Sequence, residues 1–140
     1  MAWHETSLTV RFNEVDSYGV AWHGHFVAWM EVGRNDLAGS FGLDAGQIGA
    51  LGYRAPVVTL EMQFKRPARF NERLVIGTTA RRAETATLEF PCRITGSDGR
   101  VIATGRTVHV LTDGEGILQY SLPPVIAERL HRLLAHLEGR

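Results

Sequence analysis

Alternation of apolar and polar positions governs most of this chain. Leu8, Val10 and Phe12 occupy every second position of residues 5–12, which predicts a strand. From His25 the period lengthens. Phe26, Met30, Gly33, Leu37 and Phe41 recur at spacings of three and four, the stripe of a long helix, while Glu31, Arg34, Asn35 and Asp36 lie off it. Gly39 and Gly42 punctuate its end, and residues 44–50, closed by Gly52, read as a second short helical stretch. Alternation then returns: Val58, Leu60, Met62 and Phe64 interleave with Thr59, Glu61, Gln63 and Lys65. Pro67, which has no N–H to donate, marks a bend or an edge. Residues 74–79 predict another strand. Leu88, Phe90, Cys92 and Ile94 predict a further one, which Gly96-Ser97-Asp98-Gly99 turns back into a return strand over residues 100–111. Beyond Pro123-Pro124, Val125, Leu130, Leu133, Leu134 and Leu137 form the apolar side of a terminal helix.

The predicted order is strand, long helix, four strands, terminal helix, an α+β arrangement. A helix with a stripe of large residues must bury it, and one antiparallel sheet curling round that helix is the economical solution. Such a sheet leaves edges and an uncovered face, so self-association is expected. No repeat, linker or low-complexity segment interrupts the pattern, and 140 residues fit one domain over 1–140.

Charge excludes some partners. With 15 basic and 15 acidic residues the chain has no global field for nucleic acid or an anionic membrane. Lys65 is the only lysine among the cations, the rest being arginines, whose forks suit phosphate; compositional bias explains most of them. The single cysteine, Cys92, forms no intrachain disulfide. The start lacks a basic and apolar leader pattern, and no apolar run nears the ~20 residues of a membrane span. The expected location is cytoplasmic.

Candidate chemistry concentrates between the first strand and the long helix. Residues 10–26 supply a carboxylate, a glycine turn, aromatics and then Gly24 at a helix start. Unpaired N–H groups at a helix N-terminus polarise a carbonyl or hold an oxyanion. A carboxylate a few residues upstream can reach the same carbonyl carbon, directly or through water. Acyl transfer needs both functions, although an Asp before a helix also serves turns and caps.

The stretch Asp16-Ser17-Tyr18-Gly19-Val20-Ala21-Trp22-His23-Gly24-His25-Phe26, followed by Trp29, Glu31 and Arg34, resembles the signature of the 4-hydroxybenzoyl-CoA thioesterase family. It is also similar to the acyl-CoA thioesterases associated with the Tol-Pal system. The likeness continues through Pro56-Val57-Val58, residues 64–70, Asp98-Gly99 and Ala103-Thr104-Gly105, and covers nearly the whole chain to about residue 124. The resemblance implies a hotdog fold: one curved antiparallel sheet of about five strands around a long central helix, plus a C-terminal helix. It implies hydrolysis of an aromatic or short- to medium-chain acyl-CoA without a cofactor. Asp16 would be nucleophile or general base, and the backbone N–H at His23, with Gly24 nearby, would be the oxyanion donor. His23 matches the Tol-Pal-associated branch, where the hydroxybenzoyl branch has Tyr. A homodimer or homotetramer with active sites between subunits is also implied.

Other residues carry two readings each. Tyr18, Trp22 and Trp29 would line an acyl pocket or pack in the core. Lys65, Arg66 and Arg69 would meet CoA phosphates or form a solvated strand end. Glu31 is the reserve catalytic carboxylate, with an ordinary helix-surface contact to Arg34 or Asn35 as its alternative. Glu14 could share a side with Asp16, but a solvated loop carboxylate is the plainer account. The histidines show no metal-ligand spacing, and neither a serine-hydrolase elbow nor a nucleotide fingerprint occurs. The rival readings are a non-catalytic acyl-thioester binding protein, or a thioesterase or dehydratase acting on carrier-bound chains. Asp16 together with the Gly19-to-Gly24 turn argues against the binding reading.

Overall fold

A computed structural model describes residues 2–82 and 85–139. The chain runs β1 (His4–Thr9), a 3-10 turn (Phe12–Glu14), α1 (His23–Gly39), α2 (Ala45–Ala50), β2 (Tyr53–Arg54) and β3 (Val57–Phe64). It continues through β4 (Arg73–Thr78), β5 (Thr87–Thr95), β6 (Val101–Val110), β7 (Thr112–Asp113) and α3 (Pro124–Leu137). Five strands form one antiparallel sheet in the order β1-β4-β5-β6-β3, so β1 and β3 are its edges. This is the hotdog fold, with α1 packed on β1, β4 and β5.

The apolar stripe of α1 explains that placement. Phe26, Trp29, Met30, Gly33 and Leu37 are all buried. The helix comes so close to β4 at Gly33 that a Cβ there would lie 2.5 Å from Ile76 Cγ2 and 2.7 Å from Thr78 Oγ1. Only a residue without a side chain fits that crossing. The core has two parts. One surrounds the first half of α1, with Leu74, Ile76, Ile94 and Ile102 from the sheet. The other joins the end of α1 to α3, whose Ile126, Leu130, Leu133, Leu134 and Leu137 cover Leu37, Leu43, Ile48 and Leu111.

Two features were absent from the sequence pattern. β2 and β7 pair as a two-stranded ribbon, each strand only two residues long, too short for alternation to register. A bulge between Val57 and Thr59 interrupts the pairing of β3 with β6.

Candidate active site

The loop from β1 to α1 is held by its own backbone. Asp16 N–H donates to Val20 O (3.0 Å) and Gly19 N–H donates to Asp16 O (2.9 Å). Gly19 has φ +76°, a conformation that favours glycine, and this closes the turn. Tyr18 N–H donates to Asp16 Oδ1 at 2.8 Å, fixing the carboxylate while the residue stays exposed. Ala21 N–H donates to Ala68 O at 2.8 Å, and Val20 bridges Arg69, so the loop is tied to the segment after β3. The basic stretch at residues 65–69 thereby lies beside Asp16.

α1 begins at His23, with Trp22 as its N-cap and no side-chain cap. The first turn also holds no acidic residue. By contrast, α2 opens with a reciprocal capping box between Asp44 and Gln47. The first-turn N–H groups of α1 have no carbonyl one turn earlier to bond, so those of His23 and Gly24 keep their capacity and partial positive charge. Gly24 has a second role. A Cβ there would collide with the Trp22 ring, so the indole folds flat over the helix start only because residue 24 lacks a side chain.

Asp16, Ala21, Trp22, His23, Phe26 and Phe64 line a cleft of about 400 Å³, with Lys65, Arg66 and Pro67 on its other side. Its aromatics touch one another: Trp22 and His23 have ring centroids 4.9 Å apart, His23 and Phe64 5.9 Å, and Phe26 stacks on Phe64 at 5.3 Å. Arg66 and Pro67 continue into a neighbouring depression that also takes in Arg69, Asn71 and Arg73. Among the described residues no carboxylate lies within 4.0 Å of the Lys65, Arg66 or Arg69 side-chain nitrogens. The cleft therefore combines a fixed carboxylate, a polarising helix end, an apolar collar and free cations.

The predicted residues divide accordingly. Asp16, Trp22, His23, Lys65 and Arg66 share the cleft, Gly24 supports it from behind, and Arg69 lines the adjoining depression. Tyr18 is 84% exposed at the loop tip and lines no part of the cleft. Trp29 is in the core at 3% exposed, where its indole N–H donates to Glu14 Oε2 at 2.8 Å. Glu31 lies on the exposed face of α1, 3.7 Å from Arg34, and outside the cleft.

The plain account of Glu14 as a solvated loop residue is corrected: it is buried, at 3% exposed. It accepts the Arg11 N–H at 2.8 Å, the Arg11 guanidinium at 3.3 Å and the Trp29 indole. Burial pushes its carboxyl pKa up, but these donors outweigh burial and hold it below the ordinary value. The apolar residues Ala21, Phe26 and Phe64 were not singled out as site residues. Their signal is tertiary, since Phe26 and Phe64 stack only when the start of α1 meets the end of β3. Among the described residues, no three or more His, Cys, Asp or Glu side chains converge on a point that could hold a metal ion.

The family described as "Thioesterase-like superfamily" matches residues 10–130. A Synechocystis protein named as an esterase is 31% identical over 133 residues, covering 94% of this chain and 80% of its own. A 1,4-dihydroxy-2-naphthoyl-CoA hydrolase of Synechococcus is 24% identical over 127 residues, covering 86% of this chain and 85% of its own. The solved structure of a DHNA-CoA thioesterase from Staphylococcus aureus superimposes with a TM-score of 0.86 at 22% identity, over 100% of this chain and 97% of that one. The chain belongs to the thioesterase-like superfamily, and with it to the thioester hydrolases.

Proposed function

We propose that this protein is an acyl-CoA thioesterase in which Asp16 is the catalytic carboxylate. The observation that carries the reading is the shared cleft of Asp16 and the uncapped start of α1. A thioester carbonyl placed there meets the His23 and Gly24 N–H groups on its oxygen and the Asp16 carboxylate at its carbon. Asp16 then either adds directly, giving a mixed anhydride that water opens, or takes the proton of an attacking water. Both routes consume one water and release the free acid and CoA thiol, and neither calls on a cofactor.

The aromatic collar of Trp22, His23, Phe26 and Phe64 supports an aromatic or short- to medium-chain acyl group. The names of the naphthoyl-CoA relatives favour the aromatic case. Lys65 and Arg66 at the cleft, with Arg69 beyond them, would meet the phosphates of CoA. Tyr18, whose N–H holds the Asp16 carboxylate, flanks the entrance in this reading. Within the superfamily, the run from Asp16 to Phe26 with His at position 23 supports the branch associated with the Tol-Pal system.

The assembly we propose is a homodimer joined through β3, with its active sites between subunits. β3 is an edge strand whose Val57, Val58, Leu60 and Phe64 are all exposed. Antiparallel pairing of two copies would bring the Phe64 end of one strand beside the Val57 end of the other, close to the partner's cleft. The proposed cytoplasmic location rests on a free, buried Cys92 and on the absence, among the described residues, of any helix long and apolar enough to cross a membrane.

Thiol release by wild type and Asp16→Asn tests the chemistry, with benzoyl-, hydroxybenzoyl-, short- and medium-chain acyl-CoAs and one carrier-bound acyl thioester. The expected result is turnover by the wild type and a loss of about 100- to 10,000-fold in the variant, with an unchanged melting temperature. Equal kcat in both proteins removes Asp16 from the mechanism. Tight acyl-CoA binding without thiol release favours a binding protein on the same fold.

A further inference from the structure

A second cavity, of about 620 Å³, lies away from the cleft and shares no residue with it. It opens between the second half of α1, α2, the β2–β7 ribbon and the sheet. Arg34 stands on its α1 wall, eleven residues beyond His23 and so about 16 Å along the helix axis. Leu43, Ile48, Leu88 and Phe90 make the interior apolar. The polar lining includes Arg34, Arg54, Asn35, Tyr53 and His109, with no carboxylate among the described residues.

Arg34 is the telling residue. Its side chain is only 14% exposed, and its sole ionic partner among the described residues is Glu31, at 3.7 Å from Nη2. The other terminal nitrogen, Nη1, is fully buried and has no hydrogen-bond partner among the described residues. Burial pulls the guanidinium pKa down, and Glu31 only partly restores it. An unpaired buried donor on a charged group is costly, and native structures rarely keep one without a use.

His109 does not relieve it. Ala55 O can only accept, so Nδ1 donates to it at 2.9 Å, leaving Nε2 to accept the Thr107 hydroxyl at 3.0 Å in the neutral ring. Both ring nitrogens are spent. Arg34 Nη1 therefore has a donor left for an acceptor beyond the described residues, and a negatively charged one makes the strongest bond.

We infer that this cavity binds a carboxylate with an apolar body, the anionic head on Arg34 and the body among Leu43, Ile48, Leu88 and Phe90. Two sources share that chemistry: a free carboxylic acid, and an acyl thioester whose far end carries a carboxylate. The second source rests on the thioesterase reading and on the proposed dimer, in which an acyl group could pass from one subunit's cleft into its partner. The first rests on neither.

The experiment has one arm for each source. In the first, sodium decanoate and 1-decanol are titrated calorimetrically into wild type, Arg34→Gln and Arg34→Lys, after circular dichroism confirms that the variants fold. Decanoate should bind the wild type about tenfold or more tighter than decanol. Arg34→Gln should erase that preference without changing decanol binding, and Arg34→Lys should retain most of it. The comparison of the two head groups in wild type needs no variant.

In the second arm, thiol release from octanoyl-CoA is compared with release from its counterpart bearing a terminal carboxylate. A preference for the carboxylated thioester that Arg34→Gln removes identifies the thioester as the source. An unaltered ratio alongside a positive first arm identifies the free acid. The inference is overturned if decanoate and decanol bind wild type alike, or if Arg34→Gln binds decanoate as the wild type does, while the thioester ratio ignores the variant.

Discussion

Glu14 accepts the Trp29 indole and the Arg11 amide from a position 3% exposed to solvent, and two residues later Asp16 holds one Tyr18 N–H at the surface of the cleft. Glu14 thus anchors the loop to the core, whereas Asp16 faces the open cleft. Glu14→Gln keeps the shape but weakens the hydrogen bonds, and should cost about 1–3 kcal/mol of stability at neutral pH. The pH dependence has a definite sign. A carboxylate whose folded pKa is lowered contributes stability above its ordinary value of 4.5 and loses it as pH falls through the folded value. The gap in urea midpoints between wild type and Glu14→Gln should therefore be full near pH 7 and shrink below about pH 4. A pH-independent gap would mean that the charge on Glu14 does not contribute.

At the scale of elements, the crossing of α1 over β4 depends on Gly33. Alanine there adds a methyl group where Ile76 Cγ2 is 2.5 Å away, so helix and sheet must separate or Ile76 must rotate. Overpacking of this kind costs about 1–3 kcal/mol, and Gly33→Ala should melt about 2–12 °C below wild type in a calorimetric scan. Because α1 also carries His23 and Gly24 at its other end, a shift of the helix should raise KM as well. Retained Tm and KM would show that the crossing has slack. The same helix marks how far the sequence could be read. Its stripe and the alternation of β4 and β5 were legible because each buries one face against the core, whereas β3 alternates in sequence yet turns only Met62 of its apolar set inward. The position of Trp29 was not: an aromatic on the apolar face of a helix fits a pocket or a core equally well, and only its bond to Glu14 decides. Lys65 and Arg66 came to the cleft through the tie between Ala21 and Ala68, a backbone contact that no side-chain pattern announces.

For the whole molecule, the two sheet edges differ in chemistry. β1 turns Glu5, Ser7 and Thr9 to solvent, and His4 and Thr6 on its other side bond Asp36 of α1 at 2.7 and 2.8 Å. β3 instead exposes valines, leucine and phenylalanine. Light scattering coupled to gel filtration should find the wild type at no less than twice the chain mass. Leu60→Lys, a charge placed on the β3 edge, should shift it toward the single chain. A wild type that elutes at the mass of one chain would remove the proposed dimer. The inequality of the edges also bears on growth. A strand that pairs with its own copy uses up both apolar edges in one step, and the ends left over are the polar β1 strands. In the proposed dimer the extended sheet would have only polar edges left, so assembly would terminate at a closed pair instead of propagating as a fibre.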